Sequence, residues 1–106
     1  MPHLQVFCTT DDRDEAETIA EALVRDELAA CVQITGPITS VYRWQGAVER
    51  SDEWLLLAKT TSDGYETLEA TIVKMHSYDV PEIVAVPIEC GSEAYLRWLE
   101  TSVRAD

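Results

Sequence analysis

Residues 38–61 read ITSVYRWQGAVERSDEWLLLAKTT, two β-rich arms about a Gln45-Gly46 turn. Thr39, Val41, Tyr42 and Trp44 precede the turn; Val48 and Trp54 to Leu57 follow it, a β-branched and aromatic content that suits strands. Taken as strands, both arms run past the usual length of about five or six residues. A domain this small cannot cover so long a hairpin by itself, and an uncovered edge invites pairing with another chain. The plainer alternative is a twisted hairpin whose tip stands in solvent.

Upstream of the hairpin, Cys31 to Thr35 (CVQIT) reads as a strand that Gly36-Pro37 interrupts, so a bulge or kink is expected there. His3 to Thr9 alternates Leu4, Val6 and Cys8 against His3, Gln5, Phe7 and Thr9, the pattern of a central strand. Asp12 with Glu15 resembles an aspartate version of a capping box. Ala16, Ile19, Ala20, Leu23 and Val24 then recur at helical spacing, predicting a helix as far as Glu27. Downstream, Ser62 or Asp63 is the expected cap of a second helix with Tyr65, Leu68, Ile72 and Met75 on its apolar face. Pro81 disfavours helical geometry at Val80, so that helix should fail near Ser77. Ile83 to Glu89 (IVAVPIE) is a further strand whose Pro87 suits an edge. After Cys90-Gly91-Ser92, the residues Ala94, Tyr95, Trp98, Leu99 and Val103 define a last amphipathic helix.

The order strand, helix, strand, strand, helix, strand, helix contains no linker or repeat and predicts a single α+β domain over 1–106. Its simplest two-layer form is a ferredoxin-like βαββαβ antiparallel sheet with helices on one face and an extra C-terminal helix. In that topology the first and last strands lie side by side and antiparallel. Cys8 then faces Glu82 and Ile83, and His76 comes close to the same end of the sheet.

Composition narrows the function classes. The chain has 106 residues, 46% of them hydrophobic, enough for one core that buries roughly 65% of the unfolded surface. It has no apolar run of spanning length. The start MPHLQVFCTTDD lacks the features of a signal peptide, which points to the cytoplasm. Cys8, Cys31 and Cys90 are odd in number and far apart, against a disulfide framework or a structural zinc site. A net charge of −12, from 20 acidic against 8 basic residues, argues against nucleic acid and anionic membranes as partners. Cations are the compatible ligands, although a solvated acidic surface explains most of these charges. Only Lys59 and Lys74 are lysines, and an acid-rich, lysine-poor chain suits a high-salt cytoplasm, as in a halophile.

Chemistry concentrates at the predicted end of the sheet. The thiolate of Cys8, the imidazole of His76 and the carboxylate of Glu82 together suit copper or zinc. The bland account is a packed cysteine, a helix-terminal histidine and a solvated glutamate. Nucleophilic catalysis by Cys8 with His76 as base lacks an evident orienting partner and oxyanion donors. Thr9-Thr10-Asp11-Asp12 has no glycine and two acids, which argues against a phosphate-binding turn. Tyr42, Trp44 and Trp54 form either a ligand shelf or core and interface packing.

Five blocks, Leu28-Ala-Ala-Cys-Val-Gln-Ile34, Thr39-Ser-Val-Tyr-Arg-Trp-Gln-Gly46, Leu57-Ala-Lys-Thr-Thr61, His76-Ser-Tyr-Asp-Val-Pro-Glu-Ile83 and Tyr95-Leu-Arg-Trp-Leu99, resemble the CutA divalent-cation tolerance family almost end to end. The resemblance implies a ferredoxin-like homotrimer, similar to the nitrogen-regulatory PII proteins, whose long hairpins (here 38–61) pair between subunits. It also implies a non-enzymatic link to copper and other divalent cations. By the same resemblance, Cys8 matches the first-strand cysteine associated with copper, His76 one of the histidines ahead of the tyrosine, and Glu82 the acid of the proline-glutamate step. Met75 stands where some relatives carry a second histidine, a thioether that suits Cu(I), and Ser77 replaces the family's usual proline. The expected function is that of a trimeric copper-binding protein of metal tolerance. Its alternatives are a PII-like trimer binding a small effector between subunits and a trimeric scaffold with incidental metal binding.

Overall fold

Alternating side chains divide the strands into two rows, and the row that reaches the helices becomes the core. The computed structural model describes residues 2–104. Along it run β1 (His3–Thr10), α1 (Arg13–Arg25), β2 (Cys31–Trp44), β3 (Ala47–Thr61), α2 (Tyr65–Met75), β4 (Ile83–Ile88) and α3 (Glu93–Ser102). The strands form one antiparallel sheet in the order β2-β3-β1-β4, the ferredoxin-like arrangement with an added C-terminal helix.

One face of the sheet carries Val6, Cys8, Leu56 and Ala58, buried together with Ala16, Ile19 and Leu23 of α1 and Leu68 and Ile72 of α2. The register explains the grouping. Val6 lies between Ala58 and Ala85, and Cys8 between Leu56 and Ile83, so every second residue of each strand enters one layer. The intervening residues make the other face: Val84 beside Phe7, Phe7 beside Leu57, Leu57 beside Gln33. Only part of that face is covered. Leu99 of α3 packs with Ile88, Ala30 and Val103, and His3 at its β1 end bonds Glu100 at 2.6 Å, whereas Val84 and Val86 stay exposed.

The hairpin is as long as its sequence suggests, and longer upstream. β2 does not stop at Thr35; it runs on through Gly36-Pro37 with a register shift between Thr35 and Ile38. Gly36 is needed there. A Cβ at that position would lie 2.5 Å from the Trp54 ring and 3.0 Å from the Glu53 carbonyl oxygen. Toward the turn the hairpin leaves the sheet, because β1 pairs with β3 only as far as Thr10 opposite Trp54. Beyond that point β3 has β2 on one side and no strand on the other among the described residues.

Two helix ends differ from expectation. α1 stops at Arg25 rather than Glu27, since Glu27 takes a φ of 60° and Leu28 N–H closes the end on the Leu23 carbonyl at 2.8 Å. Neither Ser62 nor Asp63 caps α2. Gly64 occupies that position without a side-chain cap, and its own N–H donates to Thr61 Oγ1 at 3.3 Å. Asp12 does cap α1, accepting from the N–H groups of Asp14 and Glu15, but Glu15 does not reach back to complete a capping box. Its carboxylate is used elsewhere.

Candidate functional site

The end of β1, the end of α2 and the loop into β4 meet as the topology requires, with Cys8 directly opposite Ile83. Here the backbone carbonyl of Thr9 is the centre. His76, whose side chain is fully buried, approaches it with Nε2 at 2.7 Å, and the Cys8 thiol points at the same oxygen from 3.9 Å. A carbonyl oxygen only accepts, so Nε2 carries the imidazole proton and Nδ1 holds a lone pair. That lone pair accepts the N–H of Tyr78 at 3.0 Å.

Around this centre lie groups that sequence reasoning missed. Glu15 Oε2 accepts from Thr10 Oγ1 at 2.6 Å and from Ser77 Oγ at 3.1 Å, and stands 3.6 Å from His76 Nδ1. The Tyr78 hydroxyl donates to Glu53 Oε2 at 2.7 Å. Glu53 is one of the few buried charged residues, 5% exposed. Tyr78 lies inside the His76–Ile83 block, which is the one signal that pointed at it. Glu15 and Glu53 had none, being two acids among 20.

Burial pushes the Cys8 thiol up to about 12, and the carboxylates of Glu82, Glu15 and Glu53 add to the shift. Burial and Glu53 likewise raise the Tyr78 phenol. The thiol consequence can be measured. Between the ordinary value of 9.0 and about 12, the unfolded chain releases the Cys8 proton while the folded chain keeps it. Stability should therefore fall with rising pH by up to about 1.4 kcal/mol per unit in that window. Below it both states hold the proton and Cys8 adds no slope. Urea midpoints from about pH 8 to 11, at fixed protein concentration, should show a shallower alkaline decline for Cys8→Ala. Parallel declines would mean that the thiol ionises as freely folded as unfolded.

Beside this corner opens a groove of about 570 Å³ between the hairpin and the 78–82 loop. Asp11, Glu53, Asp79 and Glu82 line it with carboxylates, and Tyr42, Trp44 and Tyr78 with aromatic rings. The three aromatics divide between the two readings: Tyr42 and Trp44 line the groove, while Trp54 packs against the core beneath the Arg13 guanidinium, 5.0 Å from its ring centre. The expected metal ligands are split as well. Glu82 faces the groove, whereas Cys8 and His76 lie outside its lining.

As arranged, Cys8 and His76 do not fit a metal ion. Each imidazole nitrogen has a backbone partner, and the thiol and Nε2 are both directed at the Thr9 carbonyl. Among the described residues no three of His, Cys, Asp and Glu converge as a ligand set. A Cys8–His76 nucleophile pair is not formed either, since both groups point at the same carbonyl oxygen.

The fold and this corner define a ferredoxin-like α+β protein with an acidic groove beside a half-covered sheet. The chain belongs to the CutA1 divalent ion tolerance protein family, whose profile matches residues 4–102. It is 49% identical over 94 residues to the divalent-cation tolerance protein CutA of Thermus thermophilus, covering 89% of this chain and 91% of that one. It is 41% identical to the chloroplastic CutA protein of Arabidopsis thaliana, covering 98% of this chain but only 57% of that longer one. A solved structure, the divalent cation tolerance protein (Cut A1) of Thermus thermophilus, superposes with a TM-score of 0.94 at 45% identity, covering 96% of this chain and 99% of that one.

Proposed function

We propose that this protein serves divalent-metal tolerance without catalysing a reaction, as a homotrimer joined through the 38–61 hairpin, with copper the cation it takes most tightly. The observation that carries the reading is the groove. Four carboxylates line it and no lysine or arginine does among the described residues, in a chain of net charge −12 whose family is one of divalent ion tolerance. Oxygen donors accept a range of divalent cations, and the intrinsic affinity order still peaks at Cu(II). One chain leaves its carboxylates unconverged, so a neighbouring copy along the free β3 edge completes the site. Two features support assembly: the half-covered row Val84, Phe7, Leu57 and the hairpin segment unpaired beyond Trp54. Of the ligands suggested by resemblance, Glu82 keeps its role, while Cys8 and His76 would have to leave the Thr9 carbonyl to join it. A salt-rich cytoplasm completes the proposal, resting on the acid-rich, lysine-poor sequence.

A second reading has its own observation. The Tyr42, Trp44 and Tyr78 rings make the groove suitable for a small effector, and its carboxylates require that effector to be cationic or neutral. Calorimetric Cu(II) titration in molar salt, beside a metabolite thermal-shift screen, separates the two. Saturable copper binding should persist in molar salt, where diffuse attraction is screened to about 3 Å, and weaken about tenfold or more in Glu82→Gln. Stabilisation by a metabolite but not by copper would favour the effector; stabilisation by neither would leave a scaffold. Copper binding that disappears in molar salt and ignores Glu82→Gln would reduce the groove to surface charge.

A further inference from the structure

We infer that His76 is a positioning residue that latches the 76–82 loop onto the sheet, and that Cys8 and His76 are not the metal ligands of this chain. The imidazole spans the two parts. Its Nε2–H holds the last turn of β1 through the Thr9 carbonyl, and its Nδ1 holds the loop through the Tyr78 N–H. Both bonds need the neutral Nε2–H tautomer. A metal ion at either nitrogen would remove one of them and leave a buried backbone group without its partner, a loss comparable to the hydrogen bond itself.

The latch extends into the groove. With its N–H fixed by His76, Tyr78 lies tilted by 56° against the imidazole at 4.7 Å between ring centres and sends its hydroxyl across to Glu53 on β3. Tyr78 and Glu53 are both groove-lining residues, so His76 sets the spacing of the two walls without facing the groove. Cys8 supplies packing beneath it, seated between Leu56 and Ile83. Loss of His76 would therefore disturb cation binding at the groove indirectly and look like loss of a ligand. Histidine spectroscopy is needed to tell the two apart.

The test is imidazole ¹⁵N NMR of the full chain, before and after addition of Zn(II), a diamagnetic divalent ion that takes carboxylate oxygen as well as imidazole nitrogen and thiolate. His76 should show a protonated Nε2 and a bare, hydrogen-bonded Nδ1, and both resonances should stay in place at saturating zinc. Loss of the Nε2 proton, or movement of either nitrogen together with the Cys8 Cβ resonance as zinc is added, would overturn the inference. So would an Nδ1–H tautomer in the metal-free protein. If neither Zn(II) nor, by calorimetry, Cu(II) binds, the groove reading fails while the metal-free tautomer still decides the latch. His76→Gln gives a second arm, because its amide N–H can donate to the Thr9 carbonyl and its oxygen can accept the Tyr78 N–H, so the latch can persist without an imidazole. With the Tyr78 amide resonance in place it should retain Cu(II) affinity within about twofold of the parent. A tenfold or greater loss with that resonance displaced is the indirect effect of a broken latch, whereas the same loss with it in place would restore His76 as a ligand.

Discussion

Val84→Asp should convert the proposed homotrimer into monomers at micromolar concentration. Val84 stands on the face of the sheet that α3 leaves open, 52% exposed in a single chain and adjacent in register to Phe7, which adjoins Leu57. If copies pack through this row, each carries one new carboxylate into an apolar contact. The effective cost of an unpaired buried charge is several kcal/mol, which weakens association by at least about a hundredfold. Val73→Asp is the control. Val73 is similarly exposed, on α2, and its substitution should leave the mass unchanged. A Val84→Asp protein that sediments like the parent would remove the sheet face from the interface.

Leu56→Ala should cause the largest loss of fold stability, about 2–5 kcal/mol. Leu56 is 1% exposed, pairs with Cys8 on one side and Ile34 on the other, and lies in the cluster joining the sheet to α1 and α2. Measured by circular dichroism at fixed protein concentration, the melting temperature should fall by roughly 10 to 30 °C. Val73→Ala, on the exposed side of α2, should shift it by no more than a few degrees. A Leu56→Ala shift as small as that would mean the alternate β3 residues do not meet the helices.

The fold was legible because its signals are periodic. Leu4, Val6 and Cys8 alternate on β1, and Leu68, Ile72 and Met75 recur on α2, so one pattern repeated over several residues outweighs any local exception. The bulge or kink expected at Gly36-Pro37 is there as a register shift between Thr35 and Ile38, and the edge strand β2, with β3 as its neighbour, runs on through it. Helix ends are where reading failed. Ser62 and Asp63 looked like caps, but Gly64 takes that position with no side-chain cap, and the hydroxyl its N–H meets belongs to Thr61, still inside β3. Sequence chemistry favours cap residues without saying which one the strand's exit angle delivers.

The candidate site divides in the same way. That Cys8, His76 and Glu82 share one end of the sheet followed from topology, and they do. Their partners did not follow. The Thr9 carbonyl and the Tyr78 N–H belong to the backbone, which every residue supplies, so no letter in the sequence marks them. Glu53 is a buried acid that Tyr78 meets across the groove, a contact between residues 25 positions apart. A cluster of ligand types can be read from order and spacing. Whether their lone pairs are already taken depends on the folded backbone.

The groove, the free hairpin edge and the half-covered sheet face all support the proposal that one chain is incomplete alone, and mass in solution tests it most directly. Sedimentation equilibrium of the full chain at micromolar concentration should give a single species of three times the 11.9 kDa chain mass. A monodisperse 11.9 kDa species would contradict it, leaving the 38–61 hairpin a solvent-exposed arm and the groove without the neighbour that completes it.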